Sequence, residues 1–165
     1  MAISHSGTLI SGHGEAGAIV SVIDANGNVL GTGTVAEDGT FNVSLSTPQT
    51  NGQLLQVTQT DAAGNVSSNV PVQAYDTTPP AAPTNLVLAA DGVTLSGHAE
   101  AGVRILVRNI AGQVIGAGRA GSDGNFTLTL SSPQIDGQHL DITTTDASGN
   151  SSAPVVLTAD DTQPP

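Results

Sequence analysis

The chain has 165 residues and a formal charge of -11, from fourteen acidic and three basic side chains, with 2 % aromatics, twenty glycines and no cysteine. The three cations are Arg104, Arg108 and Arg119, and there is no lysine, which excludes binding to nucleic acid or anionic membranes through basic patches; the lack of cysteine excludes disulfides, thiol nucleophiles and cysteine zinc sites. No apolar run approaches the ~18 residues of a membrane span, and no signal-peptide pattern is present, yet 38 % hydrophobic content is too regularly spaced for a disordered acidic tail.

Strand periodicity dominates along the chain. Phe41-Asn42-Val43-Ser44-Leu45 alternates apolar and polar with period two, and Leu55-Gln56-Val57-Thr58-Gln59-Thr60 does so again. In the second half the spacing predicts strands near 85–89, 93–98, 103–109, 113–119, 125–131, 138–145 and 153–159. Asp91-Gly92, Ala111-Gly112, Asp123-Gly124, Asp136-Gly137 and Ser148-Gly149-Asn150 punctuate these runs as turns. No stretch has helical periodicity. Seven short strands with turns every ~8–12 residues describe a small antiparallel sandwich.

The two halves are one module written twice. Ser11-Gly12-His13-Gly14-Glu15-Ala16-Gly17 returns as Ser96-Gly97-His98-Ala99-Glu100-Ala101-Gly102, and Thr60-Asp61-Ala62-Ala63-Gly64-Asn65 as Thr145-Asp146-Ala147-Ser148-Gly149-Asn150. The offset is 85 throughout, and residues 1–80 align on 86–165 without a gap at 35 identities in 80. The predicted architecture is therefore all-β: two tandem seven-stranded β-sandwiches, 1–76 and 84–161, joined by a Pro-rich linker over 77–83. Residues 162–165 repeat the start of that linker, which predicts an excised piece of a longer array. Prolines fix φ, so such a linker is stiff. Each module has one phenylalanine, Phe41 or Phe126, and about 80 residues is marginal for a self-sufficient core.

In a seven-stranded sandwich the loops after the second, fourth and sixth strands share the pole where the chain enters. In the second copy these loops carry Glu100, Asp123 and Asp146, and the linker brings Asp76. Uncompensated carboxylates repel, and neither a lysine nor a loop arginine is at hand. Calcium, which accepts six to eight oxygens in flexible geometry, is the expected countercharge. Glu15, Asp38 and Asp61 are the equivalents in the first copy, an expected weaker site without its upstream linker. Asp160 and Asp161 would serve a following module. The competing account is that Asp-Gly and Asp-x-x-Gly-Asn are ordinary turn sequences, in which the Asp side chain bonds the nearby backbone. Glu100 fits that account least.

The combination of S-G-x-x-E-A-G, D-G-x-F, T-D-x-x-G-N and D-T-x-P-P resembles the bacterial immunoglobulin-like tandem repeats of giant, type I-secreted, Bap-like biofilm adhesins. The likeness covers both copies. It implies an immunoglobulin-like sandwich, a head-to-tail array, secretion to the bacterial cell surface, and calcium that stiffens the joints. It also implies that Glu100 and Asp146, with Glu15 and Asp61, help bind the ion. Where many relatives have proline after that Glu, this sequence has Ala16 and Ala101.

Other motifs carry less. Gly116-Ala117-Gly118-Arg119-Ala120-Gly121 matches G-x-G-x-x-G, but a turn and strand follow it, not the helix a dinucleotide needs. Asp24-Ala25-Asn26-Gly27 lacks the EF-hand's closing Glu. His13 and His98 are expected to pack at strand ends. No catalytic constellation is present, so an enzyme is not expected. The expected function is a spacer segment of a cell-surface adhesin in adhesion and biofilm formation. Its expected partners are neighbouring repeats, and also other cells' adhesins or a host surface, with no membrane insertion. The alternatives are a module binding carbohydrate or host protein, disfavoured by the absence of Trp, and an accessory β domain of a secreted enzyme.

Overall fold

The computed structural model describes residues 1–165; it is all-β and contains no helix. The chain divides into two compact units, Met1–Thr78 and Pro79–Pro165. The first comprises β1 (Ala2–Ile3), β2 (Leu9–His13), β3 (Ile19–Ile23), β4 (Val29–Thr34), β5 (Thr40–Ser44), β6 (Leu54–Thr60) and β7 (Val70–Gln73). Its two antiparallel sheets have the order β1-β2-β5 and β4-β3-β6-β7. The second comprises β8 (Thr84–Leu88), β9 (Thr94–His98), β10 (Arg104–Arg108), β11 (Val114–Arg119), β12 (Asn125–Thr129), β13 (His139–Thr145) and β14 (Val155–Thr158). Its sheets, β8-β9-β12 and β11-β10-β13-β14, repeat the first unit's order. All seven strands expected from the second half form, each within about two residues of the expected ends.

Alternation decides which face is buried. Phe41 and Val43 on β5, Val20 and Val22 on β3, and Leu55 and Val57 on β6 form the first core with Ile10. Phe126, Leu128, Ile105, Val107, Leu140, Ile142 and Leu95 form the second. Each phenylalanine ring lies over a glycine of the neighbouring strand. A methyl on Gly97 would stand 2.7 Å from Phe126 Cζ, and one on Gly12 would stand 2.8 Å from Phe41 Cζ.

The glycines of the G-x-G-x-x-G match have a packing role instead. β4 belongs to the four-stranded sheet but leans across to the other one, where Ser46 N–H donates to Leu30 O at 2.8 Å. A methyl on Gly31 would meet Ser44 O at 2.3 Å. On β11, a methyl on Gly116 would stand 2.7 Å from Leu130 Cδ2. These glycines let the edge strand close the side of each sandwich.

The residues between the strands of the two units are anchored. Thr77 N–H donates to Thr50 O at 2.8 Å, and Thr78 Oγ1 donates to the same carbonyl at 3.0 Å, which fastens both to the first unit. Ala81 is fastened to the second unit by Glu100 and Thr144.

Candidate functional site at the entry pole

Within the second unit, Thr84 of β8 pairs with His98, the last residue of β9. The chain therefore enters at the pole where β9 ends. The loops after β9, β11 and β13 gather there, with Ala99 N–H donating to Gly124 O at 2.8 Å. Glu100, Asp123 and Asp146 all lie on these loops, as the strand count predicts. His98 packs at its strand end over Gly124, where a methyl would stand 2.6 Å from Nε2.

Each aspartate closes its own turn. Asp146 Oδ1 accepts the amides of Ser148 and Asn150, both at 2.9 Å, and its Oδ2 accepts Asn150 Nδ2 at 2.9 Å. Asp61 repeats this with Ala63 and Asn65. Asp123 takes the amide and side chain of Asn125, and Asp38 the amide and hydroxyl of Thr40. These bonds favour the ionised form. The Asn150 side chain, ahead of the backbone amides, holds the Asp146 carboxyl below the usual carboxylate range. The Asn65 side chain does the same for Asp61, Asn125 for Asp123 and Thr40 for Asp38.

Glu100 behaves differently. Its Oε1 accepts the Ala81 amide at 2.8 Å, nineteen residues away along the chain. Thr144, fully buried, donates its hydroxyl to Ala81 O at 2.9 Å. The pole thus holds the incoming chain by its one N–H and one C=O. Asp76 lies at the opposite pole of the first unit from Glu15, Asp38 and Asp61. It pairs with Asn51 and its Oδ1 accepts Thr78 N–H at 3.2 Å. Asp161 repeats that pairing with Asp136. Within neither unit do three His, Asp or Glu side chains converge as a ready-made metal cage. The carboxylates at this pole offer oxygen donors, the ligand type that hard cations take.

The roles of Ala81, Thr144 and Gln59 were not visible in the repeat pattern. A signal was available where the copies depart from each other together. Gly14 and Gln59 in the first unit become Ala99 and Thr144 in the second. A methyl on Gly14 would stand 2.3 Å from Gln59 Oε1, so the glycine makes room for the longer side chain.

The model of the bacterial Ig domain matches both copies, over residues 1–76 and 79–161. Among solved structures, the chain is similar to a biofilm-associated protein (BSP domain) at 22 % identity and TM-score 0.45, covering 99 % of this chain and 29 % of that one. It is similar to the chicken CNTN1 FN1–FN3 domains at 13 % identity and TM-score 0.42, covering 94 % of this chain and 61 % of that one. A two-domain fibronectin type III segment from chicken tenascin is 12 % identical at TM-score 0.40, covering 94 % and 93 %. The chain thus spans less than two thirds of the first two. No curated protein sequence matches. Two consecutive matches, each spanning one seven-stranded sandwich, place this chain in the bacterial Ig domain family.

Proposed function

We propose that the two units form a non-enzymatic spacer segment of a secreted bacterial cell-surface adhesin, serving cell adhesion and biofilm formation. The observation that carries this reading is the tandem bacterial Ig domain match, with the boundary turn of Asp76 repeated at Asp161. A module whose end repeats its own junction sequence suits serial extension. The surface supports the same reading. It is acidic, has a single tyrosine and no tryptophan, and so lacks the usual anchors of a recognition site. Neighbouring repeats of the same kind are the proposed partners.

Calcium is the proposed stiffening ion, taken by Asp76, Glu100, Asp123 and Asp146, with Glu15, Asp38 and Asp61 as the first-unit set. The depressed carboxyls supply anionic oxygens at neutral pH. Glu100 Oε1 is engaged by Ala81, but a carboxylate has further acceptor capacity. A bound ion would supply the countercharge that this lysine-free chain lacks. The test is thermal melting in calcium or chelator, paired with solution scattering. Calcium should raise the melting temperature and give an extended, stiffer particle. Asp76→Asn and Glu100→Gln should each lose most of that response, and no change in either measurement would overturn the calcium role.

A further inference from the structure

The second unit carries a clasp on the backbone of Ala81: an acceptor from Glu100 and a donor from Thr144. Around it, Pro83 and Ser152 are buried. In the first unit Met1 aligns with Leu86, so no residue of this sequence takes the place of residues 80–85. The corresponding place is a hollow bordered by Glu15, Gln59, Asp61, Asn65 and Val66. Val66 is 64 % exposed there, and Ser67, the equivalent of buried Ser152, is exposed.

The polar groups of a clasp are in place around this hollow. Gln59 Oε1 accepts the Glu15 amide at 3.0 Å, which leaves its Nε2 as a donor without a hydrogen bond. The Glu15 carboxylate likewise accepts no hydrogen bond, although its equivalent Glu100 does. One acceptor and one donor thus stand at the positions that hold Ala81 in the second unit. Glutamine replaces the shorter threonine, and Gly14 makes the space for it.

We propose that the hollow of the first unit is a binding site for an extended Pro-Pro-Ala-Ala-Pro segment entering ahead of Met1. The Glu15 carboxylate accepts the amide nineteen residues before it, and Gln59 Nε2 donates to the same residue's carbonyl. The segment covers Val66 and Ser67. A charge-assisted acceptor for the N–H and a neutral donor for the C=O of one residue select an extended backbone, and the flanking prolines hold that geometry before docking. The site needs no metal, so it stands or falls separately from the calcium reading.

The test compares the 165-residue chain with one extended at its N-terminus by a copy of residues 76–85, both in chelator. Amide exchange is measured over the Thr58–Ser67 stretch, with thermal melting alongside. The extended chain should exchange at least tenfold more slowly there and melt higher. Glu15→Ala should abolish the slowing in the extended chain and change little in the original one. Equal exchange in the two chains, or an equal effect of Glu15→Ala in both, would overturn the proposal. Full protection by the free ten-residue peptide at equimolar concentration would also overturn the tethered assignment, in favour of capture from another chain.

Discussion

Arg104 and Arg119 stand directly opposite each other on β10 and β11, so two of the only three cations in a chain of charge -11 are cross-strand neighbours. The other cross-strand neighbour of Arg104 is Thr145, which brings no compensating charge. Arg119 Nη1 donates to Gly102 O at 3.2 Å, which relieves one guanidinium only. Like charges facing each other across a ladder destabilise it. The first unit has Ile19 and Thr34 at this pair. Arg119→Thr should therefore stabilise the second unit by about 0.5 kcal/mol at low salt. The gain should shrink in 1 M salt, as read by denaturant titration. A destabilised variant at low salt would show that the Gly102 bond outweighs the repulsion.

Thr144 offers a sharper measure of the second unit's hold on its incoming chain. Thr144→Val keeps the shape of a fully buried side chain but leaves Ala81 O without its donor. The loss should be about 1–2 kcal/mol in chemical denaturation. Ala81→Pro removes the amide that Glu100 accepts, so in that background Glu100→Ala should have no further effect.

Gly31 and Gly116 occupy equivalent positions but predict different costs. A methyl on Gly31 meets a backbone oxygen, Ser44 O at 2.3 Å, whereas one on Gly116 meets the end of the Leu130 side chain at 2.7 Å. The side chain can swing aside and the backbone cannot without moving β5. Gly31→Ala should cost about 3 kcal/mol and Gly116→Ala about 1 kcal/mol, resolved by hydrogen exchange of the separate units. Equal costs would mean that β5 yields as readily as a leucine side chain.

The turn aspartates set an acid limit. Hydrogen bonds, from the Asn150 side chain for Asp146 and the Asn65 side chain for Asp61, depress these carboxyls in the folded state. Their contribution is fully present above the unfolded value of about 3.9 and is lost as pH falls through the lower folded value. Melting in chelator should be insensitive to these groups from pH 5 to 8 and fall below about pH 4. Asp146→Asn should melt lower than the parent at pH 7, because an amide nitrogen cannot accept from Asn150 Nδ2. The gap should close toward pH 3, and a gap that persists there would show that geometry, not charge, makes the difference.

The core was legible in the sequence for a simple reason. Period-two alternation in Phe126-Thr127-Leu128-Thr129-Leu130 leaves one way to bury three large side chains, and all three are buried. The strand count then placed Glu100, Asp123 and Asp146 at one pole, because successive antiparallel strands must alternate direction. What each acid does there was not legible. Asp123 and Asp146 bond within their own turns, while Glu100 reaches a residue nineteen positions earlier. Local spacing could anticipate the first behaviour and not the second.

By itself, then, the sequence determined two all-β modules, the pole at which each gathers its own loop acids and the absence of any lysine to neutralise them, since repeat offset, periodicity and composition are properties of the chain in one dimension. Only the tertiary structure decided that Ala81 is held between Glu100 and Thr144, and that Gly14 yields space to Gln59. Those relations join β13 or β6 to loops far away in sequence. They depend on how side chains of particular length meet once the sandwich has closed.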